Sequence, residues 1–422
     1  MLDIADELTR WRAAGRDFAA ATVVAVSGSA PREVGAALAV DADGAAIGSV
    51  SGGCVEGAVY ELCQRALESG RSTVERFGYS DDDAFAVGLT CGGVIDVLVT
   101  PVRGGDPGRA GDAGPGDRGA GEASATLAAA LDAAAHGRAA ALVRVVAGPA
   151  ELVGRALLVR PGGGYTGSLG GDPALDRTAA AEAAALLDTG RTDTRTIGAT
   201  GERCGEPVTV LVESSVPAPR MIIFGAVDFA SALVRVGGFL GYHVSVCDAR
   251  PVFATPERFP EADEVVTDWP HRYLDAQVTR TAPTTGPPRA ATDGARAGEG
   301  ADEGRAGGGI DGRTVLCVLT HDAKFDVPLL ERALRLPVGY VGAMGSRRTH
   351  LDRLRRLRAA GLTEHELSRL RSPIGLDLGA RTPEETALSI AAEIVADRRG
   401  GTGTPLTGAH TPIHHDPPPP RH

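Results

Sequence analysis

The chain has 422 residues, a formal charge of -11 and only 4% aromatic residues. That length exceeds what one core usually organises and predicts two or three domains. The acidic balance argues against a nucleic-acid partner, which would call for clustered Lys and Arg. Six cysteines, with no C-x-x-C, suggest neither a disulfide framework nor a structural zinc site and favour a reducing compartment. Acids stand where a signal peptide would carry bases, and no apolar run approaches the ~20 residues of a membrane span. The expectation is a cytoplasmic protein with no membrane partner.

From the N-terminus, residues 21–26 and 36–40 read as strands, 55–67 as a helix and 94–99 as a strand rich in β-branched residues. Between the second strand and the helix lies Ser49-Val50-Ser51-Gly52-Gly53-Cys54-Val55-Glu56. Its thiol follows paired glycines and stands two residues ahead of a carboxylate. A helix N-terminus binds anions and lowers a thiol's pKa, so Cys54 is a candidate reactive thiolate and Ser51, Gly52 and Gly53 candidate ligand contacts. Cys91 and Gly92 form a comparable turn into the following strand.

Much of this pattern recurs. Val34-Gly35-Ala36-Ala37-Leu38 and Gly48-Ser49 are echoed by Val153-Gly154-Arg155-Ala156-Leu157 and Gly167-Ser168, and Cys91-Gly92 by Cys204-Gly205. The second copy has Gly170-Gly171-Asp172 where the first has Gly52-Gly53-Cys54. Shared residues read as scaffold. Cys54 and Glu56, carried only by the first copy, read as chemistry. Residues 1–102 and 126–216 are thus two similar α/β repeats, joined by a flexible linker over 103–125 whose composition lacks residues able to offset ordering entropy.

After Pro217-Ala218-Pro219 an apolar strand, 221–224, runs into Gly225, followed by a helical pattern over 229–240 and a strand, 244–247, ending at Asp248. This is the spacing of a dinucleotide-binding βαβ unit, though Val227 replaces the glycine that lets backbone approach a pyrophosphate. Strands over 315–320 and 338–341 extend a parallel sheet and end in Thr320-His321-Asp322 and Gly345-Ser346-Arg347-Arg348. The second group suits an anion at a helix start, while His321 beside Asp322 could act as a general base or merely shape its turn. Thr382-Pro383-Glu384-Glu385 is a capping box. The glycine-rich 373–381 before it reads as a loop folded on the sheet edge, with Asp377 and Arg381 as ligand contacts. Residues 217–399 are therefore a Rossmann-like domain carrying an unstructured insertion at about 282–313. The Pro-rich tail, 400–422, holds His410, His414, His415 and His422 without preorganising them.

These segments resemble the XdhC/CoxI family of molybdenum-hydroxylase maturation factors. The match rests on Gly48 to Glu56, Leu319 to Asp322, Tyr340 to Thr349 and Pro373 to Glu385. The resemblance implies an accessory protein rather than an enzyme. Such a protein holds the molybdenum cofactor, as molybdopterin or its cytosine dinucleotide form, while it gains sulfur from a cysteine desulfurase, then inserts it into a xanthine or carbon monoxide dehydrogenase. Cys54 would be molybdenum ligand or sulfur carrier, with Glu56 beside it; homodimerisation is left open. Relatives show Gly-Ala-Gly-His where this chain has Gly225-Ala226-Val227-Asp228, which disfavours a phosphate there. The rival readings are an NAD(P)-dependent oxidoreductase built on the βαβ unit with His321 and Asp322, and a scaffold whose pocket is a relic.

Overall fold

The computed structural model describes residues 1–28, 30–78, 93–104, 117–202, 205–281 and 309–408. They fall into two compact units that divide between Val216 and Pro217.

In the first unit each repeat folds into one five-stranded antiparallel sheet with a helix on it. The first contains β1 (Phe18–Ser27), β2 (Ala37–Asp41), β3 (Ala46–Gly48), α2 (Glu56–Ser69), β4 (Thr73–Phe77) and β5 (Val94–Val102), after an N-terminal helix α1 (Ala5–Ala13). The second follows α3 (Asp117–Ala135) with β6 (Ala140–Ala147), β7 (Ala156–Val159), β8 (Tyr165–Ser168), α4 (Pro173–Asp188), β9 (Asp193–Gly198) and β10 (Pro207–Ser215). The strand orders, β3-β2-β1-β5-β4 and β8-β7-β6-β10-β9, are identical once renumbered, so the repeat in sequence is a repeat in topology.

Strand alternation explains the layering. On β1, Ala19, Ala21 and Val23 pack with Val59, Leu62 and Cys63 of α2. The intervening Phe18 and Ala20 enter a second core with Leu142 and Leu158 of the other repeat. Strand side chains alternate between faces, so a strand covered on both sides reads as a continuous apolar run. Where the sheets meet, buried Arg144 donates to Thr22 (2.8 Å) and to Glu213 (2.6 Å).

The second unit is a parallel sheet in the order β13-β12-β11-β14-β15-β16. Its elements are β11 (Arg220–Phe224), α5 (Asp228–Phe239), β12 (His243–Asp248), β13 (Glu264–Thr267), α6 (Pro270–Thr281), β14 (Val315–Val318), α7 (Ala323–Ala333), β15 (Tyr340–Ala343), α8 (Arg347–Ala359), α9 (Glu364–Ser368), β16 (Leu370–Arg371) and α10 (Pro383–Arg399). Counted from β11 this is the doubly wound order 3-2-1-4-5-6, whose ligand crevice lies at the carboxyl ends of the strands where the order reverses, between β11 and β14.

Two boundaries differ from expectation. The expected linker is helical from Asp117, because α3 supplies Leu127, Ala130 and Leu131 to the core between the repeats. The expected insertion ends earlier than 313: Ile310 is buried, and Arg313 pairs with Asp311 at 2.8 Å.

Candidate functional site

The loop from Ser49 to Val55 is built around one carboxylate. Glu56, the first residue of α2, accepts from Ser49 Oγ (2.7 Å), Ser51 N (2.9 Å), Gly53 N (2.8 Å) and Ser51 Oγ. Ser51 Oγ in turn accepts from the amides of Cys54 and Val55, both at 3.0 Å, and Ser49 Oγ accepts from Gly52 N at 2.9 Å. Burial works to raise the Glu56 pKa, but the bonds from Ser51 and Ser49 outweigh it and hold the carboxyl at about 2. Gly52 and Gly53 have φ of 74° and 119°, a region that L side chains rarely adopt.

This corrects one expectation. The amides at the start of α2 do not wait for an external anion, because Glu56 and Ser51 already satisfy those of Ser51, Gly53, Cys54 and Val55. Ser51 and the glycines therefore shape the loop, and Glu56 positions it. Cys54 is half-buried beside exposed Gly52 and Gly53, and a Cβ added at Gly53 would meet nothing within 4 Å. The loop thus presents a sulfur donor at a partly open position.

The second repeat shows what was exchanged. Asp176 on α4 accepts from Leu169 N at 2.8 Å, doing for that loop part of what Glu56 does for the first. A loop-binding carboxylate is thus common to both copies, not confined to the first. Asp172, after the paired glycines, caps α4 through Ala174 N at 2.7 Å, whereas α2 has no side-chain cap. Where one copy gains a helix cap worth about 0.5–2 kcal/mol, the other carries a thiol.

In the second unit, the turn after β11 has Gly225 at φ 114°, and a Cβ there would come within 3.0 Å of Thr320. The Ala226 amide donates to Asp248 at 2.8 Å, and Arg250 Nη2 pairs with the same carboxylate at 2.8 Å. Burial opposes ionisation of Asp248, yet the bonds from Arg250 and Ala226 keep its pKa below the usual range. Asp228 opens α5 with a negative charge. An occupied amide, an occupied acid and an added charge do not fit a dinucleotide bound in the usual way.

Along the same strand edge, Asp322 caps α7 through Lys324 N (3.0 Å) and pairs with Lys324 Nζ (3.1 Å), so its carboxylate serves its own helix; His321 beside it is exposed. Ser346 caps α8, accepting from Thr349 N at 3.1 Å. Arg347 and Arg348 are exposed in a first turn that holds no acid, where the helix dipole favours anions over cations. The loop over 373–381 lies on the sheet edge as expected: Ile374 N donates to Ala343 O at 3.1 Å and Gly375 N to Glu393 at 2.8 Å. Asp377 and Arg381 on it are exposed, and Thr382 with Glu385 forms the capping box of α10.

Sequence reading missed the buried pair beneath this edge. Asp326 on α7 and Arg353 on α8 meet at 2.9 Å, and Thr320 Oγ1 also donates to Asp326. The two lie 27 residues apart on helices whose patterning gives no sign of the contact. Cys91, Gly92, Cys204 and the four tail histidines lie outside the described residues. Among those described, no group of three or more His, Cys, Asp or Glu side chains is placed to hold a metal ion, and no helix is long and apolar enough to cross a membrane.

Fold and site define a protein with a twice-repeated, thiol-bearing N-terminal unit and a Rossmann unit that lacks ordinary dinucleotide features. Residues 221–394 match the XdhC Rossmann domain, and residues 11–78 and 133–198 match the XdhC and CoxI family. The chain belongs to the XdhC and CoxI family. It is 25% identical to a probable xanthine dehydrogenase subunit of Bacillus subtilis, over 90% of this chain and 92% of that one. It is 37% identical to the E. coli molybdenum cofactor insertion chaperone PaoD, over 21% of this chain and 28% of that protein. A crystal structure described as a xanthine dehydrogenase from Bacillus halodurans shares the fold, with a TM-score of 0.60 and 23% identity over 94% of this chain and 96% of that one.

Proposed function

We propose that this protein binds the molybdenum cofactor as cargo and inserts it into a molybdenum hydroxylase of the xanthine or carbon monoxide dehydrogenase type. The observation that carries the reading is the exchange between repeats: Cys54 stands on a carboxylate-pinned loop where the second copy has the helix cap Asp172. Membership of the XdhC and CoxI family and the likeness to an insertion chaperone support it.

In this reading the sulfur of Cys54 holds the metal end of the cofactor. Glu56 keeps the loop in register. Within the second unit, exposed Arg347 and Arg348 stand at the positive end of α8, where an anionic group would offset them. The monophosphate form of the cofactor is favoured over the cytosine dinucleotide, because Val227 and Asp228 disfavour a second phosphate at the glycine turn. A cytoplasmic cysteine desulfurase supplies sulfur while the cofactor is held. The protein is a carrier, and the occupied Asp248 and Asp322 weigh against a dehydrogenase.

Reconstitution tests this. An apo-form molybdenum hydroxylase is incubated with released cofactor and either the wild type or Cys54→Ser. The wild type raises the activated fraction and Cys54→Ser lowers it at least tenfold; equal activation by both would refute the assignment.

A further inference from the structure

Four segments that reach the carboxyl edge of the parallel sheet are tied to one buried side chain. Arg353, 3% exposed on α8, donates Nη2 to Asp326 and to the carbonyl of Met344, and Nη1 to Ser372 Oγ, each at 2.9 Å. Met344 leads directly into Gly345 and Ser346, and Ser372 directly into the loop over 373–381. Through Asp326 the contacts continue to Thr320, which precedes His321 and against which Gly225 packs too closely to admit a Cβ. Gly345 lies over the same guanidinium: a Cβ there would stand 3.7 Å from Arg353 Nη1.

A guanidinium presents several donors in a fixed planar fork, so one side chain can hold several acceptors at fixed mutual angles. Lysine has no such fork. Each acceptor here belongs to a different segment, and none lies in a neighbouring turn of the same helix.

We infer that Arg353, with Asp326 as its counter-ion, is the positioning residue of this edge, setting the Gly345 turn, the 373–381 loop and the Thr320 turn in one register for the ligand. The inference rests on the cofactor-binding reading for what the ligand is, but not for the clamp itself. Arg353 acts through the segments it holds and does not itself touch the ligand.

The test uses the full chain with two variants, Arg353→Lys, which keeps the charge beside Asp326, and Asp326→Leu/Arg353→Met, which replaces the pair by apolar groups of similar size. Hydrogen exchange is followed without ligand, and binding of released molybdenum cofactor is measured anaerobically. The clamp predicts at least tenfold faster exchange in both 344–349 and 372–380 in each variant, with β11 and β14 unchanged and the melting temperature of the double variant close to wild type. Cofactor affinity falls at least tenfold in both. Faster exchange with no cofactor binding by the wild type would uphold the clamp and overturn the ligand reading. Unchanged exchange in either segment, or faster exchange with affinity within twofold of wild type, would overturn the positioning role.

Discussion

The carboxylate of Glu56 accepts a 2.8 Å hydrogen bond from the amide of Gly53, the residue immediately before the thiol-bearing Cys54. With the bonds from Ser49 and Ser51, this makes Glu56 the post around which the loop is wound. Glu56→Gln leaves one oxygen acceptor and turns the other position into a donor facing donors. The expected cost is about 1–3 kcal/mol, with faster amide exchange across 51–55 and little change in β11 to β15. Urea unfolding and hydrogen exchange check this.

The same carboxylate sets a pH dependence. Its pKa is held at about 2, below the usual carboxylate range, so its contribution is fully present above about 4.5 and fades as pH falls towards 2. The difference in unfolding free energy between wild type and Glu56→Gln is therefore constant from pH 7 to about 5 and shrinks on further acidification. A difference that grew in acid would reverse the sign of this account.

Thiol reactivity separates Cys54 from the core cysteines. Burial pushes Cys63 up to about 12 and raises Cys247 and Cys317 as well, and all three are inaccessible. Iodoacetamide on the folded protein, followed by peptide mapping, is expected to modify Cys54 well before these three. In denaturant the four react at similar rates.

Gly225 admits no side chain. At φ 114° and with Thr320 at 3.0 Å, Gly225→Ala strains the backbone and pushes β14 away, an expected loss of about 1–3 kcal/mol. Val227→Gly, by contrast, is expected to leave NADH binding undetectable by titration, because Asp248 still holds Ala226 and Arg250.

Short-range patterns were the legible ones. The capping box of Thr382 and Glu385 is written within four residues, and the two repeats announce their shared topology through recurring glycines and apolar strands. Cys54 and Glu56 were found by their spacing, but the direction of the Glu56 carboxylate, inward to Ser49, Ser51 and Gly53, depends on how the loop closes. Contacts across long separations were hidden: Arg144 and Glu213 lie 69 residues apart on strands of apolar patterning, and Asp326 and Arg353 lie 27 apart on two different helices. β16, with two residues, is too short for an alternation to show.

The central claim is that Cys54 is the metal end of a cofactor-carrying site. Its most direct test is anaerobic binding of released molybdenum cofactor to wild type and Cys54→Ala, with NADH titrated in parallel. The account predicts saturable cofactor binding that weakens at least tenfold in the variant, and no saturable NADH binding. Equal cofactor affinity in both proteins, or NADH binding without cofactor binding, would contradict it.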